Sequence, residues 1–220
     1  MAASFLVAGL VSLALAVPLS AVAAEDAIAV AAKVQARYDE TLDLSADFTQ
    51  EMRIQTGGRV LRSEGRMYFQ KPGRMRWEYD SPEPQIIVAD GTYLWIHQPE
   101  DKQVLRSPVE QAFQSQTPVS FLFGVARLSR DFDPELLPPA KDGSLRLALR
   151  PKAQEGGALG RLTLEVDPET YDLRAAQVTD PLGNLTEVRL VDPRRNAGVD
   201  AERFRFERPP GTDLIQAPGG

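Results

Sequence analysis

From Gly65 to Gln98 the chain places large side chains at every second position in three strand-like runs: Met67 and Phe69; Met75, Trp77 and Tyr79; Tyr93, Trp95 and His97. Successive side chains of a strand point to opposite sides, so this period lines one face of a twisted sheet. The expected face is broad and aromatic. It is either the core of an antiparallel β domain or the lining of a cavity for an apolar ligand, and both fit the period. Upstream, Leu44, Ala46, Phe48, Met52 and Ile54 alternate with Ser45, Asp47, Thr49, Glu51 and Arg53, which predicts a half-buried strand. Gly57-Gly58, Pro72-Gly73 and Asp90-Gly91 supply turns, so an antiparallel meander is expected. Pro82 and Pro84 mark an irregular link.

Two stretches switch to helical spacing. Ala27, Val30, Ala31, Val34 and Tyr38 recur on one face of an amphipathic helix that needs an apolar surface to cover. Ser107-Pro108-Val109-Glu110 has the form of a capping box, and Thr117-Pro118 repeats the start signal. Two short helices are expected there, the second presenting Phe121, Leu122, Val125 and Leu128, with Phe123 beside them. Strands then return at 145–149, 159–166, 173–178, 185–191 and 204–206. Asp142-Gly143, Gly156-Gly157, Asp167-Pro168, Asp180-Pro181 and Asp192-Pro193 punctuate them, and the tail from Pro209 is expected to be extended or loose.

The first 24 residues carry no charged side chain, and the apolar run from Phe5 to Val17 ends at Pro18 before Ala21-Val22-Ala23. This pattern predicts a cleaved signal peptide over 1–24 and a single exported domain over 25–220; the start lacks the usual Lys or Arg. The chain has no cysteine, so no disulfide framework and no lipidated N-terminal Cys are expected. Its formal net charge of -6 argues against a nucleic-acid partner, whose phosphates are bound by clustered Lys and Arg.

No nucleophile elbow, phosphate loop or multi-histidine metal site can be assembled, since His97 is the only histidine. No catalytic residue, metal or cofactor is expected. The Asp residues at 167, 180 and 192 precede Pro or close turns, where local hydrogen bonding accounts for them. Arg66, Lys71, Arg74 and Arg76 form either a site for an anionic head group or the solvated side of strands whose other face is apolar.

Asp47-Phe48-Thr49-Gln50, the block from Lys71 to Tyr79 (KPGRMRWEY), Val88-Ala89-Asp90-Gly91 with Leu94-Trp95, and the ending from Phe204 to Gly211 (FRFERPPG) resemble the periplasmic outer-membrane lipoprotein carrier family (LolA). The resemblance runs in order through the mature chain. It implies a mainly β fold with some α: an unclosed antiparallel β-barrel, or half-barrel, under a helical lid. Lipoprotein acyl chains would be bound between them, in a cavity walled by Phe48, Met67, Phe69, Met75, Trp77 and Trp95 and covered by Phe121, Leu122 and Phe123. It also implies a monomer in the periplasm that takes outer-membrane-destined lipoproteins from an inner-membrane ABC-type exporter to an outer-membrane receptor lipoprotein. Family members carry Arg at the position of Lys71, where it bonds to the lid; Lys keeps the charge without the planar fork, so Lys71 is a latch candidate. Met75 stands where Phe is frequent in the family. The alternative on the same scaffold is an envelope-stress regulatory module that senses lipid or peptide, whose relatives usually add a C-terminal domain for which this length leaves no room.

Overall fold

Asp26 begins the described chain by capping a helix, its carboxylate accepting a hydrogen bond from the Ala29 N–H at 2.7 Å. The computed structural model describes residues 26–110, 127–152 and 160–216. The segment expected as a signal peptide (1–24) and the expected lid side chains Phe121, Leu122 and Phe123 lie outside these described residues. Helix α1 (Ala27–Asp39) is followed by strands β1 (Asp43–Ile54), β2 (Arg59–Gln70), β3 (Arg74–Ser81), β4 (Gln85–Ala89), β5 (Tyr93–Gln98) and β6 (Gln103–Pro108). A short helix, α2 (Leu128–Asp131), leads into β7 (Phe132–Leu137), β8 (Leu145–Pro151), β9 (Arg161–Val166), β10 (Leu173–Thr179) and β11 (Leu185–Arg195). A 3-10 turn (Ala201–Phe204) and β12 (Asp213–Gln216) follow.

The twelve strands of the described residues lie in one sheet, in the order β12-β6-β5-β4-β3-β2-β1-β11-β10-β9-β8-β7. Two meanders meet where β1 pairs with β11, and β12 alone runs parallel to its neighbour. The outermost strands do not pair with each other, so the sheet is an unclosed barrel. Directly opposed residues of antiparallel strands share a face, and the register therefore carries one inner face from β2 to β11: Met67 opposes Ala46 and Trp77, and Phe48 opposes Leu190. Helix α1 lays Val30, Ala31 and Val34 on this face over Leu147, Leu149, Leu162 and Leu164. A second inner cluster gathers Phe48, Met67, Phe69, Met75 and Trp77 with Val188 and Leu190.

The structure corrects several expectations. Ile87 opposes both Trp77 and Ile96, which puts Leu94 and Ile96 on the inner face and Tyr93, Trp95 and His97 on the outer one. Trp95 is therefore not a wall of an inner cavity: it stacks on Phe206 with centroids 5.1 Å apart and donates its indole N–H to Asp90 at 2.8 Å. The error arose because β4 is apolar on both faces and shows no alternation, so the parity change across its turn was not visible. The strand expected at 204–206 is a 3-10 turn followed by irregular chain, and the tail expected to be extended or loose contributes the extended strand β12. Asp192-Pro193 does not end its strand. Asp192 adopts φ 48° inside β11, and the β1 partner shifts from Val191 to Arg194 around it, a bulge that accommodates a residue without an N–H. Where the capping box was expected, β6 runs on to Pro108, and Val109 and Glu110 are helical; residues 111–126 lie outside the described residues.

Candidate functional site

Where α1 crosses the inner face its packing is incomplete, and a cavity of about 150 Å³ remains. Its apolar lining includes Val34, Leu44, Met67, Phe69, Leu164 and Leu190. On its more exposed side stand Arg37, Asp172 and Arg195. Of the expected wall residues, Met67 and Phe69 line the cavity directly. Phe48, Met75 and Trp77 are no more than 1% exposed and form packed core beside it, with the Phe48 and Trp77 rings 4.7 Å apart. Trp95 lies on the opposite face of the sheet, as described above.

Polar contacts fix the C-terminal end of α1 over this cavity. Lys71 donates to the backbone carbonyls of Tyr38 at 2.6 Å and Asp39 at 3.1 Å, and its ammonium sits 4.3 Å from the Tyr38 ring centroid. A cation at the last carbonyls of a helix complements the negative end of its dipole. Burial draws the Lys71 pKa down and pushes that of Tyr38 up. Arg37 grips Asp172 in a two-point pair, Nε to Oδ1 at 2.6 Å and Nη2 to Oδ2 at 2.7 Å. Arg127 reaches Asp39 at 3.0 Å, and the Leu128 N–H donates to Gln35 at 3.0 Å, joining α2 to α1.

The period of two placed Leu44 on the apolar face, and the same period could have marked Leu164 and Leu190 as inward. The Arg37–Asp172 pair, separated by 135 residues, had no local signal. The basic quartet read from the sequence is dispersed: Arg76 pairs with Glu78 at 2.5 Å, Arg74 donates to Gln70, and Lys71 turns to α1. His97 is buried on the outer face 6.3 Å from the Phe206 ring, and burial lowers its pKa. Among the described residues no group of three His, Asp or Glu side chains is placed to hold a metal ion. No described helix is long and apolar enough to cross a membrane.

Hydrogen bonds from Arg37 hold the Asp172 carboxyl below the ordinary Asp value. The folded-state pKa lies under the unfolded one, so this pair stabilises α1 fully above the unfolded value of about 3.9. That contribution is lost as pH falls through the folded pKa. Hydrogen exchange should therefore show α1 amides losing protection below about pH 4, and Asp172→Asn should remove that acid step. Equal loss in both proteins would mean the pair does not anchor the helix.

The fold and its site define a structural class: an open antiparallel half-barrel with an apolar cavity under a helix. The chain belongs to one family of that class: the model of the outer membrane lipoprotein carrier protein LolA family matches residues 39–207. It is 33% identical over 175 residues to an outer-membrane lipoprotein carrier protein of Dechloromonas aromatica, covering 80% of this chain and 82% of that one. It is also 31% identical over 213 residues to the carrier protein of Alkalilimnicola ehrlichii, covering 96% and 94%. Among solved structures, an uncharacterized conserved protein from Thermus thermophilus superposes with a TM-score of 0.54 at 14% identity, covering 86% of this chain and 97% of its own. MucB superposes with 0.50 at 15% identity, covering 86% and 65%. At such identities these two likenesses concern the fold alone.

Proposed function

We propose that this protein is a periplasmic carrier that shelters the acyl chains of outer-membrane-destined lipoproteins between α1 and the inner sheet face. It would take them from an inner-membrane ABC-type exporter to a receptor lipoprotein on the outer membrane. The observation that carries this reading is the apolar cavity beneath α1 in a chain of the carrier family. Its volume of about 150 Å³ resembles that of an apolar cavity that holds a benzene. Sites for drug-sized ligands span roughly 300–1,000 Å³, so loading requires α1 or its neighbours to move off the sheet. Energies favour that exchange. An acyl chain of about sixteen carbons gains on the order of 12 kcal/mol by leaving water, at about 0.8 kcal/mol per methylene. Val30 and Val34, the larger of the three buried side chains of α1, account for about 3–6 kcal/mol together. Ala27, Ala31 and Tyr38 add further apolar contact, and the other attachments are hydrogen bonds and ion pairs, which water can replace. Phe121, Leu122 and Phe123 are proposed to add apolar cover over the loaded chain.

Native mass spectrometry of the exported protein, with and without membrane extract, tests this. The expected result is a mass increment matching a lipoprotein. Leu190→Glu should lose the increment while far-UV circular dichroism is retained, because the new carboxylate faces a cavity that Arg37 and Arg195 also line. Undiminished loading of that folded variant would remove the cavity assignment. A sensing module on the same scaffold predicts no lipoprotein increment, so the same spectra separate the two readings.

A further inference from the structure

Two guanidinium groups face the cavity, and their partners are unequal. Arg37 occupies both oxygens of Asp172 at hydrogen-bond distance. Arg195, at the end of β11, is left at 3.6 Å from Asp172 Oδ1 and 3.9 Å from Glu40 Oε2, too far for a hydrogen bond to either. Glu40 also stands 3.9 Å from Arg37, and its side chain is 66% exposed, so water and salt weaken its hold on both cations. The Arg195 side chain is only 26% exposed and borders a lining of Leu44, Met67, Phe69 and Leu190. A guanidinium carries five N–H donors in a planar fork that fits carboxylate and phosphate. A cation with donors unused among the described residues, at the mouth of an apolar cavity, is the complement of an anionic head on an apolar tail.

We propose that the cavity discriminates among acyl-chain ligands by head group, Arg195 receiving an anionic head while the tail lies against Met67, Phe69 and Leu190. The ligand class is an acyl or alkyl chain that ends in a carboxylate or a phosphate. The inference rests on the reading that this cavity accepts acyl chains, and it adds a charge preference that burial alone does not supply. Asp172 stays with Arg37 in this arrangement, so the incoming anion adds bonds to Arg195 and need not break the α1 anchor.

The test uses eight-carbon probes titrated into the full exported chain and followed by NMR: octanoate, octyl phosphate, 1-octanol and octyltrimethylammonium. Octanoate or octyl phosphate should bind at least about tenfold tighter than 1-octanol, the gain from one charge-assisted hydrogen-bonded pair, and the cationic probe weakest. The stronger of the two anions identifies the head as carboxylate or phosphate. In Arg195→Gln the ratio of anion to alcohol affinity should fall toward unity, and Arg195→Lys should restore part of it. Equal affinity of the anions and 1-octanol for the wild-type chain, which needs no variant, overturns the head-group preference and leaves the carrier reading standing. Failure of all four probes to bind overturns the acyl-chain reading of the cavity, and the preference falls with it.

Discussion

Alanine at Trp77 is expected to lower the unfolding free energy by about 3–5 kcal/mol, the range for removing a fully buried indole or phenyl ring from a core. Trp77 is 0% exposed, stands at the centre of β3, and packs against the rings of Phe48 and Tyr79, with centroids 4.7 and 6.3 Å away. Deleting the ring leaves Phe48, Met67 and Met75 around a void that a sheet bonded on both sides cannot collapse to fill. The check is a urea titration: the midpoint should fall sharply at constant slope. A change under about 1 kcal/mol would mean that the site is loosely packed, and that Trp77 belongs to the cavity wall the sequence suggested. For the same reason a charged residue at Trp77 reports on folding and not on cargo, which is why Leu190 is the better position for testing binding.

Gly65→Ala should be of comparable severity for a different reason. A methyl group added at Gly65 would lie 1.9 Å from the backbone oxygen of Glu78 and 3.0 Å from the Cα of Tyr79. Both atoms belong to the neighbouring strand, so no side-chain rotation relieves the contact. The glycine sits where the β2–β3 register shifts, opposite Phe48 on one strand and Tyr79 on the other, and those two rings meet each other edge-on at 5.1 Å. Overpacking usually costs about 1–3 kcal/mol; with backbone on the receiving side the expected cost is at least about 3 kcal/mol by that scale. Urea unfolding measures the loss. Hydrogen exchange should locate it in β2 and β3, and a nearly unperturbed variant would show that the two strands separate easily.

Much of the fold could be read from local pattern because its causes are local. The helical period of Val30, Ala31 and Val34 and the period of two from Leu44 onward need only neighbours in sequence, and the observed α1 and β1 follow them. Gly57-Gly58 and Gly73 adopt positive φ in the turns they were expected to make. Strands without alternation were the ones missed. β4 buries side chains on both faces, and β7 contains Pro134, a residue that strands tolerate at a sheet edge, where β7 lies. Met67 and Phe69 were recognisable as inward-facing, whereas nothing near either residue tied Arg37 to Asp172 or brought Arg195 to the same cavity.

The order of apolar and polar residues was enough to determine most of the strands and which helix must cover a surface, while the resemblance to the family was carried by specific motifs such as the block from Lys71 to Tyr79. Only the tertiary structure decided which face each strand turns inward, because parity is handed from strand to strand by register and a single misread turn reverses it. That is how Trp95 came to lie outside while Leu94 and Ile96 lie within. It also decided that the aromatic residues at 48 and 77 are packed solid and that the unfilled space lies beside them, under α1, since a void is a property of how two surfaces meet and not of either sequence alone.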